Sequence, residues 1–532
     1  MDCDYVETLD TTLRDGAQTR GVTFTLHDKL RIAEKLDGLG IDIIEGGWPG
    51  SNPKDEEFFK AAKNLSLSHS KLAAFGSTRR ADTTPSSDPS LNAIIKSDVG
   101  LAVIFGKSWA LHVKEVLRTS QETNLAMIAQ TVEYLRTHGL EVVFDAEHFF
   151  DGYKEAPEYA LEVLKTAESA GARTLVLCDT NGGTLPHEVS KVTAAVVKNV
   201  HTHLGVHTHN DCGLAVANTL AAVMEGVRHV QGTMVGLGER CGNADLSQVI
   251  PNLVLKLGLR ALKTREHLSK LGEVASYIAE VANMPVSPNH PFIGRNAFAH
   301  KGGVHIDAML KNPRTYEHID PALVGGRRTI SVSELAGRSA LLHHAEQIGL
   351  RLGKEEVSKA LEEIKALEAV GYHLEPADAT VSLIILRAVG KYRERFRVRT
   401  WWVESLDVGR LTSKAVVSLD IDGEAVTESA EGVGPVHALD GAIRAAVLRK
   451  FPELSKTLLV NYKVSVIDAR DATAAGVRVF TEFSDDGRQW ATTAVSRNIL
   501  EASLKAIVEG YMYRLTLLGR GRLEEKEIGR PT

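Results

Sequence analysis

Two histidines one residue apart, His207 and His209 in His207-Thr208-His209-Asn210-Asp211, sit at the end of a short apolar run. Side chains alternate along a strand, so both imidazoles project to the same face. Two imidazoles at one strand end are able to share a divalent metal; the plainer alternative is a hydrogen-bonded histidine pair. Thr11-Thr12-Leu13-Arg14-Asp15-Gly16 follows the first apolar run and sets a carboxylate beside a guanidinium. Asp15 offers an oxygen ligand. The planar fork of Arg14 suits a substrate oxygen or a developing enolate, unless the two form only a structural ion pair. Gly236-Leu237-Gly238-Glu239-Arg240-Cys241-Gly242-Asn243 follows the last run. Its glycines permit tight turns, and Asn243 adds an amide carbonyl; the other reading is a loop that closes the fold. Asp15, His207, His209 and Asn243 make a mixed oxygen and nitrogen set that suits Mg, Mn, Co or Zn with two positions open. A 2-oxo acid fills both positions through its keto and carboxylate oxygens, and the metal then polarises the keto carbon.

Two more runs end in polar groups: Asp145 and Glu147 after the fifth, and Asp179, Thr180 and Asn181 after the sixth. Thr180 suits a substrate carboxylate as a donor, and Glu147 suits the ordering of groups around the metal. Each alone reads equally well as a loop or capping residue. Their recurrence at the ends of successive runs is what points to one shared rim.

The elements that must position these residues are an alternation of apolar runs and amphipathic segments up to about residue 285. The runs fall at 6–9, 41–45, 72–75, 101–105, 141–144, 174–177, 205–207 and 230–235. Between the first two, Thr25 with Asp28 predicts a helix N-terminus. Leu30, Ala33, Leu36 and Leu39 recur at helical spacing, and Gly38 and Gly40 mark its end. Eight strand–helix units over this length predict a (β/α)8 TIM barrel, an α/β fold. A doubly wound sheet shows the same alternation, but no G-x-G-x-x-G follows the first strand and polar clusters follow nearly every strand.

The rhythm changes at Pro285, Pro288 and Pro291. Residues 1–285 are expected to form the catalytic barrel, 286–404 helical linker subdomains, and 405–520 a C-terminal α+β domain of two β-hairpin–helix repeats. The hairpin turns fall at Asp422-Gly423 and Asp486-Gly487, between alternating runs.

Bulk composition narrows the class. The 532 residues are 43% hydrophobic and 24% charged, with a net charge of -6 and no long basic run, which argues against nucleic acid as a partner. Cys3, Cys178, Cys212 and Cys241 form no C-x-x-C pair, so a reduced cytoplasmic setting is expected. No apolar stretch is long enough for a membrane span, and the acidic start is unlike a signal peptide.

The D-T-T-L-R-D-G, H-T-H-N-D and G-E-R-x-G-N-A segments resemble the 2-isopropylmalate, homocitrate and citramalate synthases, and the resemblance spans almost the whole chain. It implies an acyltransferase that joins acetyl-CoA to a 2-oxo acid by metal-assisted Claisen condensation and thioester hydrolysis. It implies metal ligation by Asp15, His207, His209 and Asn243, with Arg14 assisting catalysis. Glu147 and Thr180 match substrate-site residues, with Asp145 beside them, and Glu239 matches an acidic residue near the metal. His300-Lys301-Gly302-Gly303-Val304-His305-Ile306-Asp307 resembles a further element of the family. By that resemblance His305 and Asp307 serve acid–base or acetyl-CoA chemistry, reaching the partner subunit of a homodimer, and Tyr316 matches an aromatic of the same region. Glu45-Gly46-Gly47-Trp48-Pro49-Gly50-Ser51-Asn52-Pro53 and Cys178-Asp179-Thr180-Asn181-Gly182-Gly183 resemble the long-chain citramalate synthases more than the isopropylmalate synthases. Pyruvate as the acid and isoleucine as an effector of the C-terminal domain follow from that resemblance, as does a place in isoleucine biosynthesis. The alternatives are a 2-oxoisovalerate-using isopropylmalate synthase, a lyase of the hydroxymethylglutaryl-CoA type, and an amino-acid sensor on a degenerate barrel.

Overall fold

A computed structural model describes residues 4–330, 332, 337–407, 411–467, 474–485 and 488–528. Cys3 and the turn expected at Asp486-Gly487 lie outside the described residues. The chain divides into two compact units: Met1–Phe298 with Ile319–Arg328, and Ala299–His318 with Thr329–Thr532.

In the first unit eight parallel strands close into a barrel. They are β1 (Glu7–Asp10), β2 (Ile43–Gly47), β3 (Lys71–Ser77), β4 (Leu101–Lys107), β5 (Glu141–Glu147), β6 (Thr174–Asp179), β7 (His203–Thr208) and β8 (His229–Gly232). Each neighbours its predecessor, and β8 pairs back onto β1 with Glu7 opposite His229. Alternate side chains face opposite ways. One set, including Val6, Ile44, Ala74, Ile104, Phe144 and Leu177, packs outward under the helices. The other set fills the barrel with Leu9, Ile43, Ala73, Phe75, Val103, Val143, Val176 and Cys178. Period two carries the inner face upward to the chemistry: Val143, Asp145 and Glu147 on β5, and Val176 and Cys178 on β6 with Thr180 just beyond.

The helix between β1 and β2, α1 (Leu26–Leu39), shows how the local sequence fixes an element. Thr25 Oγ1 accepts the Asp28 N–H at 3.2 Å while the Asp28 carboxylate accepts the Thr25 N–H at 2.8 Å. Such a cap contributes about 1 kcal/mol. Ile32, Ala33, Leu36 and Leu39 are buried on the face toward the sheet, and Gly40 ends the helix in the left-handed region. Strand eight is shorter than the run 230–235 implies. Thr233 Oγ1–H donates to the Leu237 carbonyl at 2.6 Å, and Met234–Gly236 folds into a 3-10 turn with Val235 left-handed.

The second unit contains helices Gly303–Lys311, Gly337–Gln347, Lys354–Ala369 and Asp378–Ala388. Two antiparallel three-stranded sheets follow: Arg397–Asp407, Leu411–Ile421 and Glu424–Gly432, then Leu458–Val466, Val477–Asp485 and Arg488–Ser496. A helix follows each, at Pro435–Leu448 and Ile499–Ile528. The repeat is therefore a three-stranded unit, and its first strand starts at Arg397, before the expected boundary at 405. Helix Asp378–Ala388, expected in the linker, packs on the second sheet: the Ala491 N–H donates to Asp378 Oδ1 at 2.8 Å and the Thr493 N–H to Thr380 Oγ1 at 3.1 Å. Its residues from Ala379 to Leu386 are all buried, which explains why its sequence lacks an amphipathic stripe. Among the described residues no helix is long and apolar enough to cross a membrane.

Candidate active site

Asp15, His207 and His209 are buried together at the C-terminal end of the barrel, with their ligand atoms all within 4.8 Å of one another. His207 Nε2 lies 3.3 Å from His209 Nε2 and 3.7 Å from Asp15 Oδ2. Ligand atoms about 2.1 Å from one cation and at right angles stand about 3 Å apart, so these spacings suit a shared ion.

Proton placement supports the same reading. Gln231 donates its Nε2–H to Asp145 Oδ1 at 2.9 Å, which turns Gln231 Oε1 toward His207 Nδ1 at 3.0 Å. Nδ1 therefore carries the proton and Nε2 presents a lone pair. Burial and the neighbouring His209 hold His207 in its neutral form. Burial opposes charge on Asp15, but the Arg14 guanidinium beside it outweighs this and holds the carboxyl below the usual carboxylate range. Asn243 donates its Nδ2–H to the Leu237 carbonyl at 3.0 Å, which leaves Oδ1 buried with no protein partner. Buried polar atoms are almost always satisfied, so the orphaned Oδ1 of Asn243, whose backbone bridges to His209, is a further candidate ligand atom. The residues present thus fit a divalent metal.

The loop that brings Asn243 here is built on backbone contact. Gly242 adopts φ +90°, and a Cβ at that position would come within 1.9 Å of the Gly236 carbonyl oxygen.

Arg14 stands beside the cluster. Its Nε–H donates to Glu45 Oε2 at 2.6 Å and an Nη–H to Asp15 Oδ2 at 3.0 Å, and its plane lies 3.7 Å over Phe75. Glu45, fully buried, also accepts from Thr11 Oγ1 at 2.5 Å. Sequence reasoning left Glu45 out of the site. The signal was its place two residues beyond inward-facing Ile43, which puts it on the inner face of β2. Gln231 was missed in the same way, two residues beyond His229 on β8.

Asp145, Glu147 and Thr180 line the same cavity, about 180 Å³ in volume, together with Trp48, Phe75 and Phe105. Burial, reinforced by the Glu45 charge, pushes the Asp145 carboxyl up to about 8. Glu147 pairs with Lys107 at the rim. Thr180 Oγ1 accepts the His148 N–H at 2.9 Å. Glu239 does not line this cavity: its side chain is 58% exposed on the glycine-rich loop, with Arg240 as its ion partner at 4.0 Å. His305, Asp307 and Tyr316 belong to the second unit. There the rings of His305 and Tyr316 stack at 4.2 Å, and Asp307 pairs with Lys311 at 2.6 Å.

The HMGL-like family matches residues 5–278, the homocitrate synthase post-HMGL domain-like family residues 292–371, and the LeuA allosteric (dimerisation) domain residues 375–515. The chain is 51% identical to an (R)-citramalate synthase of Sulfolobus acidocaldarius, over 96% of this chain and 97% of that one. It is 49% identical to an (R)-citramalate synthase of Aquifex aeolicus, over 95% and 97%. A 2-isopropylmalate synthase of Methanocaldococcus jannaschii is 34% identical over 95% and 94%. This chain belongs to the HMGL-like family and, within it, to the citramalate synthases, which are acyltransferases. That membership implies a divalent metal and acetyl-CoA.

Proposed function

We propose that this chain condenses acetyl-CoA with pyruvate to give citramalate and CoA. The observation that carries the reading is the Asp15, His207, His209 and Asn243 donor set beside Arg14, in a chain with full-length citramalate synthase relatives. In the reaction the acetyl methyl loses a proton and its carbon bonds to the keto carbon of pyruvate. The keto oxygen takes up a proton, and water cleaves the thioester to release a carboxylate and the CoA thiol. A divalent cation held by Asp15, His207, His209 and Asn243 supplies Lewis-acid polarisation of the keto group; Mn, Mg, Zn and Co all suit this donor set.

The chain's own groups do the rest. Glu45 and Asp15 take one Nε–H and one Nη–H of Arg14, and the other Nη is left for the enolate oxygen. Thr180 already accepts a backbone N–H, so its hydroxyl proton is free for the pyruvate carboxylate. Asp145, its carboxyl raised by burial and the Glu45 charge, accepts the Gln231 amide N–H and so holds the residue that orients His207. Glu147 orders the rim through Lys107. Family resemblance assigns His305 and Asp307 to acid–base or acetyl-CoA chemistry within a homodimer, and matches Tyr316 to an aromatic of that region and Glu239 to an acidic residue near the metal.

CoA release from acetyl-CoA, followed with a thiol reagent, tests this reading across pyruvate, 2-oxobutyrate, 2-oxoisovalerate and 2-oxoglutarate, with and without chelator. Chelator-sensitive turnover strongest with pyruvate is expected; preference for 2-oxoisovalerate would replace pyruvate as the substrate. We infer also that the C-terminal domain takes isoleucine as effector, supported by the doubled sheet–helix unit and the Glu431-Gly432-Val433-Gly434-Pro435 loop. Isoleucine should raise the melting temperature and lower turnover. No change in either removes the effector assignment.

A further inference from the structure

Three aromatic rings, Trp48, Phe75 and Phe105, line the cavity together with the metal-ligand cluster. Trp48 meets Phe75 and Phe105 edge-on at 5.5 and 5.6 Å, and the two phenyl rings stack at 5.3 Å. A second cavity of about 290 Å³ lies alongside, lined by Leu13, Ala17, Val22 and Phe24 among others. Arg14 and Trp48 are the two residues that line both cavities. Arg14 is committed to Glu45 and Asp15, so the indole is the removable part of the partition.

Trp48 is fixed from two sides. Its indole N–H donates to Ser90 Oγ at 3.1 Å, and its backbone N–H donates to Asp55 Oδ2 at 2.9 Å. Asp55 lies on α2 (Pro53–Ala62) and pairs with Lys29 of α1, whose ammonium also donates to the Gly46 carbonyl at 3.0 Å. Lys29 and Asp55 are both buried. A buried ion pair is a poor source of stability, because desolvation offsets its attraction. This one instead grips the end of β2. Gly47, at φ +149°, lets the backbone come so close that a Cβ there would lie 2.4 Å from the Asp55 carboxyl carbon. Neither charge takes part in the chemistry above; what they hold still is Trp48.

We propose that Trp48, clamped by the Lys29–Asp55 pair and Ser90, is the specificity-determining wall that restricts the 2-oxo acid to a small side chain. The proposal rests on the acyl-transfer reading above. With the indole in place, a branched acid meets a fixed aromatic edge. Without it, the two cavities join behind the keto-acid position.

The test compares kcat/KM for 2-oxoisovalerate and for pyruvate in the full-length wild type, Trp48→Ala and Trp48→Phe, by CoA release, with metal content and melting temperature measured on each. Trp48→Ala should raise the 2-oxoisovalerate-to-pyruvate ratio at least about 10-fold, the scale set by one or two methylenes of pocket. Trp48→Phe should raise it less. Asp55→Asn, which weakens the clamp while keeping the ring, should move the ratio in the same direction. If Trp48→Ala does not fold, Trp48→Leu carries the same expectation. An unmoved ratio in a folded, metal-loaded Trp48 variant, with pyruvate turnover by the wild type, overturns the proposal alone. No CoA release by the wild type with any acid removes the acyl-transfer reading and the proposal with it.

Discussion

His207 Nδ1 lies 3.0 Å from Gln231 Oε1, and Gln231 Nε2–H donates a hydrogen bond to Asp145 Oδ1. One neutral amide thus sets the tautomer of a candidate ligand and links it to a carboxyl group across the barrel. Gln231→Leu should leave the barrel folded but weaken metal binding about 10- to 100-fold, the usual cost of losing a group that orients a ligand. Titration of the metal-free protein with Mn or Zn reads this directly. Unaltered affinity would show that His207 needs no such support.

His209→Ala and Asp15→Asn should each strip metal from the purified protein and abolish chelator-sensitive turnover. Metal analysis by mass spectrometry is the readout. Retention of stoichiometric metal by either variant would place the ion elsewhere.

Glu45→Ala should cost about 3 kcal/mol of stability, because it leaves a buried guanidinium with only one of its two carboxylate partners. A fall in melting temperature is expected together with a loss of turnover. Glu45→Gln keeps an acceptor for Arg14 and should lose less of both.

At the opposite end of the barrel Glu7 joins His229, at 2.8 Å, and Arg173. Burial works to raise the Glu7 carboxyl, but His229 and Arg173 overcome it and bring it down from 4.5 to about 2. A carboxyl held lower in the folded state stabilises the fold above its unfolded value, and that contribution is lost as pH falls from about 4.5 toward 2. The shift corresponds to about 3 kcal/mol at most. The melting-temperature difference between wild type and Glu7→Gln should be largest near pH 6 and shrink on acidification to pH 3. A difference independent of pH would assign the effect to packing.

Most of this architecture was legible in the chain because barrels repeat a simple pattern. Short apolar runs located the strands, and polar clusters at their ends located the rim. Asp15, His207, His209 and Asn243 stood out as candidate ligands, since each sits in a glycine- or histidine-marked segment at or just past the end of a strand. Glu45 and Gln231 did not, because a buried polar residue inside a strand looks like a break in an apolar run until its face is known. Helix Asp378–Ala388 falls in the stretch read as helical linker, but its packing on the second sheet was hidden, because burial on nearly every side erases the stripe that would mark one packing face. Where β8 stops was also hidden, since the turn at Met234–Gly236 is set by a tertiary bond from Thr233.

Gly242 has a consequence for how this site can change over time. With a carbonyl oxygen where its Cβ would be, the segment that presents Asn243 behaves as a rigid mould. Saturation libraries should therefore yield almost no functional clones at Gly242. New substrate ranges in such a lineage would arise through the β2 wall at Trp48, leaving the metal-presenting loop untouched.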